Sequence, residues 1–225
     1  MALRRTDLLT RFSGLSAPDT ADDLLMHVLA PTNIICLGSS AGGLPALISF
    51  FGRMAPDSGW AFVVIQHLQA HVPSLTPEIL SRVTSMPVGA AHDAELALPN
   101  HVYTIPPNAQ LTIAGGRFHV AQRTESAGRH KPFDRFLKSL AVDCRERAIG
   151  VVLSGYDGDG SDGFVAIKAM GGSTYAQDQS AEVDEMPQHA MATGCVDHVL
   201  NPGQIAERIS LANSPPTSGQ RHLAR

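Results

Sequence analysis

Apolar residues along the chain form short continuous runs that alternate with stretches of helical spacing. Ile34–Leu37 and Ala61–Ile65 are continuous runs, the pattern of strands buried on both faces of a parallel sheet. Helical spacing follows each run, over 43–54 and 74–83. The alternation returns later, with helices predicted at 133–147, 163–170, 186–193 and 202–211 and strands at 148–153, 173–176 and 196–200. This pattern predicts an α/β fold with a doubly wound, mostly parallel sheet in three layers.

The middle of the chain breaks this rhythm. Residues 101–105, 109–114 and 117–122 form three short strand-like runs, and Gly115-Gly116 joins the last two as a β-hairpin. We interpret this segment as an antiparallel excursion at one edge of the sheet.

The two ends of the chain differ in composition from the part between them. Residues 1–32 form a polar lead-in with a short helix expected near 22–29, and residues 212–225 have the composition of a disordered tail. One domain is therefore expected over 33–211. The Arg4-Arg5 pair is not followed by the apolar run of a signal peptide, and no run approaches the ~18 apolar residues of a membrane span. We expect a cytoplasmic protein without membrane insertion.

Composition and charge exclude several classes of function. The chain is 44% hydrophobic and 17% charged, as expected of a folded globular protein. Its net charge is −4 and its 17 Lys and Arg residues are scattered, which argues against a nucleic-acid partner. Cys36, Cys144 and Cys195 lack CxxC spacing and argue for a reducing compartment, against both disulfides and a zinc site. We predict no metal and no cofactor.

A small-residue loop follows the first predicted strand. Gly38-Ser39-Ser40-Ala41-Gly42 matches G-x-S-x-G, a tight turn that presents a serine hydroxyl above a sheet. Two other interpretations remain open: a phosphate-binding loop, because Gly38-x-Ser40-x-x-Gly43 imitates G-x-G-x-x-G, and a plain turn of small residues.

Two further loops follow predicted strands. Gln66-His67 ends the second strand, where His67 is a candidate general base or a structural histidine. Residues 153–163 carry Asp157, Asp159 and Asp162, yet fail the calcium-loop pattern. Magnesium is unsupported there, and a polar turn is the alternative. Because ligands bind beyond the carboxyl ends of parallel strands, the three loops together predict acyl transfer by a serine nucleophile.

Six ordered segments between roughly 33 and 211 together form a pattern more specific than any single motif. They are LGSSAGGLPAL at 37–47, VVIQHL at 63–68, YTIPPN at 103–108, PFDRFLKSLA at 132–141, VVLSGYDGDGSDG at 151–163 and IKAMGGSTYAQDQSAEVDEMPQHAMATGCVDHVL at 167–200. In these segments the sequence resembles the catalytic domain of the CheB family of chemotaxis protein-glutamate methylesterases.

The resemblance implies hydrolysis of γ-glutamyl methyl esters on the signalling helices of methyl-accepting chemotaxis receptors, with release of methanol, and deamidation of certain glutamines. It places the nucleophile on Ser40, the general base on His67 and the orienting carboxylate on Asp159, within a pattern like L-T-G-M-G-x-D-G. Backbone N–H groups of Ala41 and Tyr156 would form the oxyanion hole.

The protein substrate implies an open groove, for which Gln66, Tyr156 and Met186 are candidate lining residues.

Four departures from the family pattern accompany the resemblance. Ala41 stands where the family often has threonine, and Tyr156 replaces a methionine. Asp157 replaces a glycine, where its charge would compete for His67 or repel an acidic substrate. Only about thirty residues precede Asn33, fewer than the ~100–150 of an N-terminal receiver domain. Regulation by that domain is thus not expected from this chain, and another signalling partner or a larger gene product is the alternative. The rival functions are a catalytically degenerate CheB-like interaction module and a nucleotide-binding Rossmann domain.

Overall fold

The computed structural model describes residues 30–66, 74–123 and 131–212. The helix predicted near 22–29 and His67 lie outside these residues, as do nearly all of the predicted lead-in and tail. No helix in the described ranges is long and apolar enough to span a bilayer.

The described part of the chain contains nine strands, six α-helices and a short 3₁₀ helix at Arg145–Arg147. The strands are β1 Ile34–Ser39, β2 Ala61–Gln66, β3 Val88–Ala90, β4 His101–Thr104, β5 Ala109–Ala114, β6 Arg117–Gln122, β7 Ala148–Val152, β8 Ser173–Gln177 and β9 His198–Leu200. The helices are α1 Gly43–Phe51, α2 Thr76–Leu80, α3 Pro132–Cys144, α4 Ser161–Ala169, α5 Glu185–Ala192 and α6 Pro202–Ala212.

Seven of these strands form one parallel sheet in the order β3-β4-β2-β1-β7-β8-β9. From the central β1 the chain passes to β2 and then to β3 at one edge, and β4 lies between β3 and β2. The chain then returns to β7, on the other side of β1, and continues through β8 to β9 at the second edge. The predicted doubly wound, mostly parallel sheet is confirmed. Its strand order reverses between β1 and β7, and in open α/β sheets ligands bind at such a reversal, beyond the carboxyl ends of the strands.

Helices cover both faces of the sheet and give the predicted three layers. Alternate β1 residues point to opposite faces, so Ile35 and Leu37 pack with α1 and α6 while Ile34 and Cys36 pack with α3, α4 and α5. Because every residue of β1 is buried, the strand consists of a continuous apolar run rather than an alternating one.

The β5–β6 hairpin is a separate two-stranded antiparallel sheet that packs on α3. Its inner face contributes Leu111, Ile113 and Phe118 to the core. At the turn, the N–H groups of Gly115 and Gly116 donate to the Asp143 carboxylate of α3 at 2.6 and 3.0 Å. One element differs from the prediction: β4, which we assigned to the antiparallel excursion, pairs with β2 in the parallel sheet.

Candidate active site

The turn between β1 and α1 presents Ser40. Its C=O accepts a 3.0 Å hydrogen bond from the Gly43 N–H, and Gly42 adopts a left-handed conformation at φ 70°, which glycine takes without steric cost. The preceding Ser39 is only 1% exposed, and its hydroxyl has no hydrogen-bond partner within the described ranges. Ser40 is half-buried, so of the two adjacent serines it is the one that a substrate can reach.

The Asp159 carboxylate lies at the start of α3. It accepts hydrogen bonds from the N–H groups of Phe133 at 2.9 Å and Asp134 at 2.8 Å, and the residue is 1% exposed. These N–H groups belong to the first helical turn, where partners within the helix are missing and the helix dipole favours negative charge. The carboxylate predicted to orient the base therefore has a fixed position, in the loop between β7 and α4.

The negative charge of Asp159 also affects the pKa of a cysteine in the central strand β1. Burial, and then the negative charge of Asp159, raises the pKa of the Cys36 thiol well above its usual value. Cys36 lies in β1, four residues before Ser40 in the chain. The β1 and β7 ends that carry Ser40 and Asp159 are direct neighbours in the sheet.

The end of β2 lies beside the same turn, since Gln66 pairs in register with Ser39. The Gln66 side chain accepts a 2.5 Å hydrogen bond from the Thr76 hydroxyl at the start of α2. Gln66 thus links β2 to α2, and its predicted place in a substrate groove stays a prediction. His67 follows directly in the chain but lies outside the described residues.

The two predicted oxyanion donors are the backbone N–H groups of Ala41 and Tyr156. Neither the N–H of Ala41 nor that of Tyr156 donates a hydrogen bond to any residue in the described ranges. The backbone just before Tyr156 touches the serine, because a Cβ on Gly155 would lie 2.9 Å from the Ser40 Cβ and 3.0 Å from its N. The Tyr156 side chain is 56% exposed.

Met186 packs directly against this backbone. Its N–H donates to the Gly155 carbonyl at 2.9 Å, and its sulfur would lie 2.3 Å from a Cβ on Gly155. Because Met186 is 1% exposed, it supports the loop from beneath and contributes little accessible surface as a groove residue.

Asp157 keeps a backbone conformation that suits glycine, with φ 84°. Its N–H donates to the Glu185 carboxylate at 3.3 Å, and its own carboxylate accepts from the Gly158 N–H. Asp157 therefore interacts with the loop backbone and α5. Asp162, the third aspartate of the loop, is paired with Lys138 at 3.1 Å, and this hydrogen bond lowers the pKa of Asp162.

Sequence reasoning missed Ser154, which is completely buried between the two loops. Its backbone C=O accepts from the Ser40 N–H at 2.9 Å, and its hydroxyl donates to the Ala41 C=O at 2.7 Å. The available signal was the hydroxyl-bearing position in the L-T-G-M-G-x-D-G pattern. In the described part of the chain, no group of three or more His, Cys, Asp or Glu residues is placed to hold a metal ion.

Comparison with known proteins agrees with this geometry. Residues 35–209 match the family described as CheB methylesterase. The chain is 34% identical over 182 residues to the protein-glutamate methylesterase/protein-glutamine glutaminase of Bordetella parapertussis, an alignment covering 78% of this chain and 52% of the relative. A Syntrophus aciditrophicus protein of the same name is 32% identical, with 83% and 56% coverage. The chain thus spans about half the length of the curated relatives it matches.

A solved structure extends the likeness to the fold. The CheB methylesterase catalytic domain of Thermotoga maritima superposes with a TM-score of 0.73 at 26% identity, and the match covers 80% of this chain and 98% of the Thermotoga chain.

Proposed function

The chain belongs to the CheB methylesterase family, and we propose that it is a serine hydrolase acting on γ-glutamyl methyl esters of chemoreceptor signalling helices. Methanol is the product released with glutamate, and certain glutamines are deamidated at the same site. One observation carries this proposal. The Ser40 turn and the Asp159 loop meet at the reversal of strand order, with two N–H groups beside Ser40 that bond to no described residue.

The proposed triad is Ser40, His67 and Asp159. His67, in its neutral form, takes the hydroxyl proton as the Ser40 oxygen attacks the ester carbonyl, and the N–H groups of Ala41 and Tyr156 bind the oxyanion. The intermediate collapses, the bond to the methoxy oxygen breaks, and methanol leaves with the proton from His67. Water, deprotonated by the same imidazole, then hydrolyses the glutamyl-enzyme and regenerates Ser40.

Asp159 supplies orientation and charge in this scheme. Its carboxylate is fixed by two N–H groups of α3 and so provides a stationary acceptor for an imidazole N–H. It would fix the tautomer of His67 and stabilise the imidazolium that forms when His67 takes the proton. Activity should fall on acidification as the imidazole, with an ordinary pKa of about 6.5, becomes protonated.

The proposal extends to the setting of the enzyme. Residues 33–211 form the catalytic domain, chemotaxis receptors are the protein substrates, and the reaction takes place in the cytoplasm. Regulation is assigned to a separate signalling partner. The exposed Tyr156 side chain at the rim supports an open site that a helix surface can approach.

The test is timed methanol release from a methylated receptor, with wild type beside Ser40→Ala. We expect release to be abolished in Ser40→Ala while its thermal midpoint stays near that of wild type. Ser39→Ala is the matched control, because it deletes a neighbouring hydroxyl that has no partner among the described residues. A fully active Ser40→Ala protein would reject the nucleophile. A folded wild type that neither releases methanol nor reacts with a fluorophosphonate at Ser40 would favour the degenerate interaction module.

A further inference from the structure

Every polar atom of Ser154 takes part in a hydrogen bond. Its N–H donates to the Gln177 side chain at 2.9 Å and its C=O accepts from the Ser40 N–H at 2.9 Å. Its hydroxyl donates to the Ala41 C=O at 2.7 Å and accepts from the Val183 N–H at 2.9 Å. The residue is 0% exposed, so no water competes for these bonds.

These bonds hold the Ser40–Ala41 peptide from both sides. The Ser154 carbonyl binds the Ser40 N–H, which belongs to the preceding peptide. The Ser154 hydroxyl binds the Ala41 C=O, which belongs to the following peptide. Between them, the C=O of the peptide itself is bound by the Gly43 N–H at 3.0 Å. Because C=O and N–H point in opposite directions across a trans peptide, these bonds together set the direction of the Ala41 N–H.

We infer that the Ser154 hydroxyl is a positioning group for the oxyanion hole, holding the Ala41 N–H where negative charge develops on the substrate carbonyl oxygen. The inference rests on the proposed function, in which Ala41 supplies one of the two donors. Such donors act only when they are aimed in advance at the position of the oxyanion, since reorientation during the reaction would cost free energy.

The same hydroxyl couples the two donors. Through Val183 it binds the segment before α5, and the Val183 C=O accepts a 2.9 Å hydrogen bond from the Gly155 N–H. Gly155 directly precedes Tyr156, the second proposed donor. Ser154 thus connects the turn carrying Ala41 to the loop carrying Tyr156 by hydrogen bonds between segments that lie far apart in the chain.

If Ser154 only filled space, its substitution would affect activity differently than if its hydroxyl positioned Ala41. Ser39 is a buried serine of the same size beside the nucleophile, and its hydroxyl has no partner within the described ranges. If the cavity merely needed a small side chain, Ser154→Ala and Ser39→Ala would have equal effects. If hydroxyl bonding positions Ala41, only Ser154→Ala should slow the chemical step.

The experiment compares wild type, Ser154→Ala, Ser154→Thr and Ser39→Ala. For each protein, kcat and KM for methanol release, the rate of fluorophosphonate labelling at Ser40 and the thermal midpoint are measured, with assays run well below the lowest midpoint. We expect Ser154→Ala to lower kcat and the labelling rate by about 10²-fold, near the loss that follows removal of an oxyanion donor, with KM little changed. Ser154→Thr, which retains the hydroxyl, and Ser39→Ala should stay close to wild type.

Several results would overturn the inference. It fails if Ser154→Ala has the kcat of Ser39→Ala, if the loss appears in KM with kcat intact, or if Ser154→Thr is as slow as Ser154→Ala. Wild type that releases no methanol would instead count against the proposed substrate. In that case the labelling rates still decide the matter, since the phosphonylated serine also places an oxygen in the oxyanion hole, and equal rates for wild type and Ser154→Ala would refute the inference.

Discussion

The Asp134 and Asp159 residues cap each other's helices. The N–H of Asp134, in the first turn of α3, donates to the Asp159 carboxylate at 2.8 Å. The Asp134 carboxylate in turn accepts a 2.7 Å hydrogen bond from the N–H of Gly163, in the first turn of α4, which Asp159 precedes. Both carboxylates are buried, and Lys131 pairs with Asp134 at 3.0 Å, a hydrogen bond that raises the pKa of Lys131. The position of Asp159 is therefore set by the packing of two helices.

This arrangement predicts a large difference between the two neighbouring aspartates. Asp159→Ala should lower the rate of methanol release by roughly 10⁴-fold, the scale seen when a serine hydrolase loses the function of its orienting carboxylate. Asp157→Ala should have a much smaller effect, because the Asp157 carboxylate accepts from the Gly158 N–H of its own loop, and the N–H that bonds to Glu185 is kept in the variant.

Asp159→Asn separates chemistry from stability in the same assay. It keeps the size of the side chain and one acceptor oxygen for α3, so its thermal midpoint should exceed that of Asp159→Ala while its activity stays low. If Asp157→Ala proves slower than Asp159→Ala, the orienting carboxylate belongs to Asp157 instead.

Asp157→Gly should stabilise the fold. Asp157 has a left-handed backbone, which costs an L-residue roughly 1–2 kcal/mol and costs glycine little. Two effects of the substitution reduce this gain: glycine has more conformational entropy in the unfolded chain, and the hydrogen bond from the Gly158 N–H to the Asp157 carboxylate is lost. We expect the free energy of unfolding to rise by about 0.5 kcal/mol in denaturant titrations. Asp184→Gly is the control: its φ of −98° already suits aspartate, so that variant should gain nothing. Equal gains for both variants would show that φ strain at Asp157 is not the cause.

Gly155→Ala should damage the site. The added methyl would meet the Met186 sulfur at 2.3 Å and the Ser40 Cβ at 2.9 Å, so either this loop or the turn that carries Ser40 must move. We expect a clear drop in methanol release and a loss of about 1–3 kcal/mol in the free energy of unfolding, as in other overpacked cores. Gly89→Ala, on strand β3, has no atom within 4 Å of the new Cβ and should leave both quantities unchanged or slightly improved. Full activity in Gly155→Ala would contradict the close approach of the two loops.

Thiol reactivity should follow burial. Desolvation raises the pKa of Cys144 to about 11 and that of Cys36 well above its usual value, so both remain protonated at pH 8. Cys195 is half-buried. Iodoacetamide at pH 8, followed by peptide mass spectrometry, should modify Cys195 first in the folded protein and all three cysteines in denaturant. Modification of Cys36 ahead of Cys195 in the folded protein would show that the central strand opens.

The strands of the buried sheet were predictable because their signal is local. Continuous apolar runs at β1, β2 and β7 mark strands covered on both faces, and this identified the loops that carry Ser40 and Asp159. The pairing of β4 was not predictable in this way, because the adjacent hairpin suggested antiparallel structure and the true partner, β2, lies some distance away in the chain. The role of Ser154 was hidden for the same reason, since its hydroxyl bonds to a residue 113 positions away.

The β5–β6 hairpin gives α3 a second support. One side of α3 packs against the main sheet, and the other side packs against Leu111, Ile113 and Phe118 of the hairpin. The Asp143 carboxylate of α3 accepts hydrogen bonds from the hairpin turn. This support holds α3 in place, and with it the two N–H groups that bind the Asp159 carboxylate at the opposite end of the helix. A substitution of the exposed His119, on the solvent side of the hairpin, should therefore leave the position of that carboxylate unchanged.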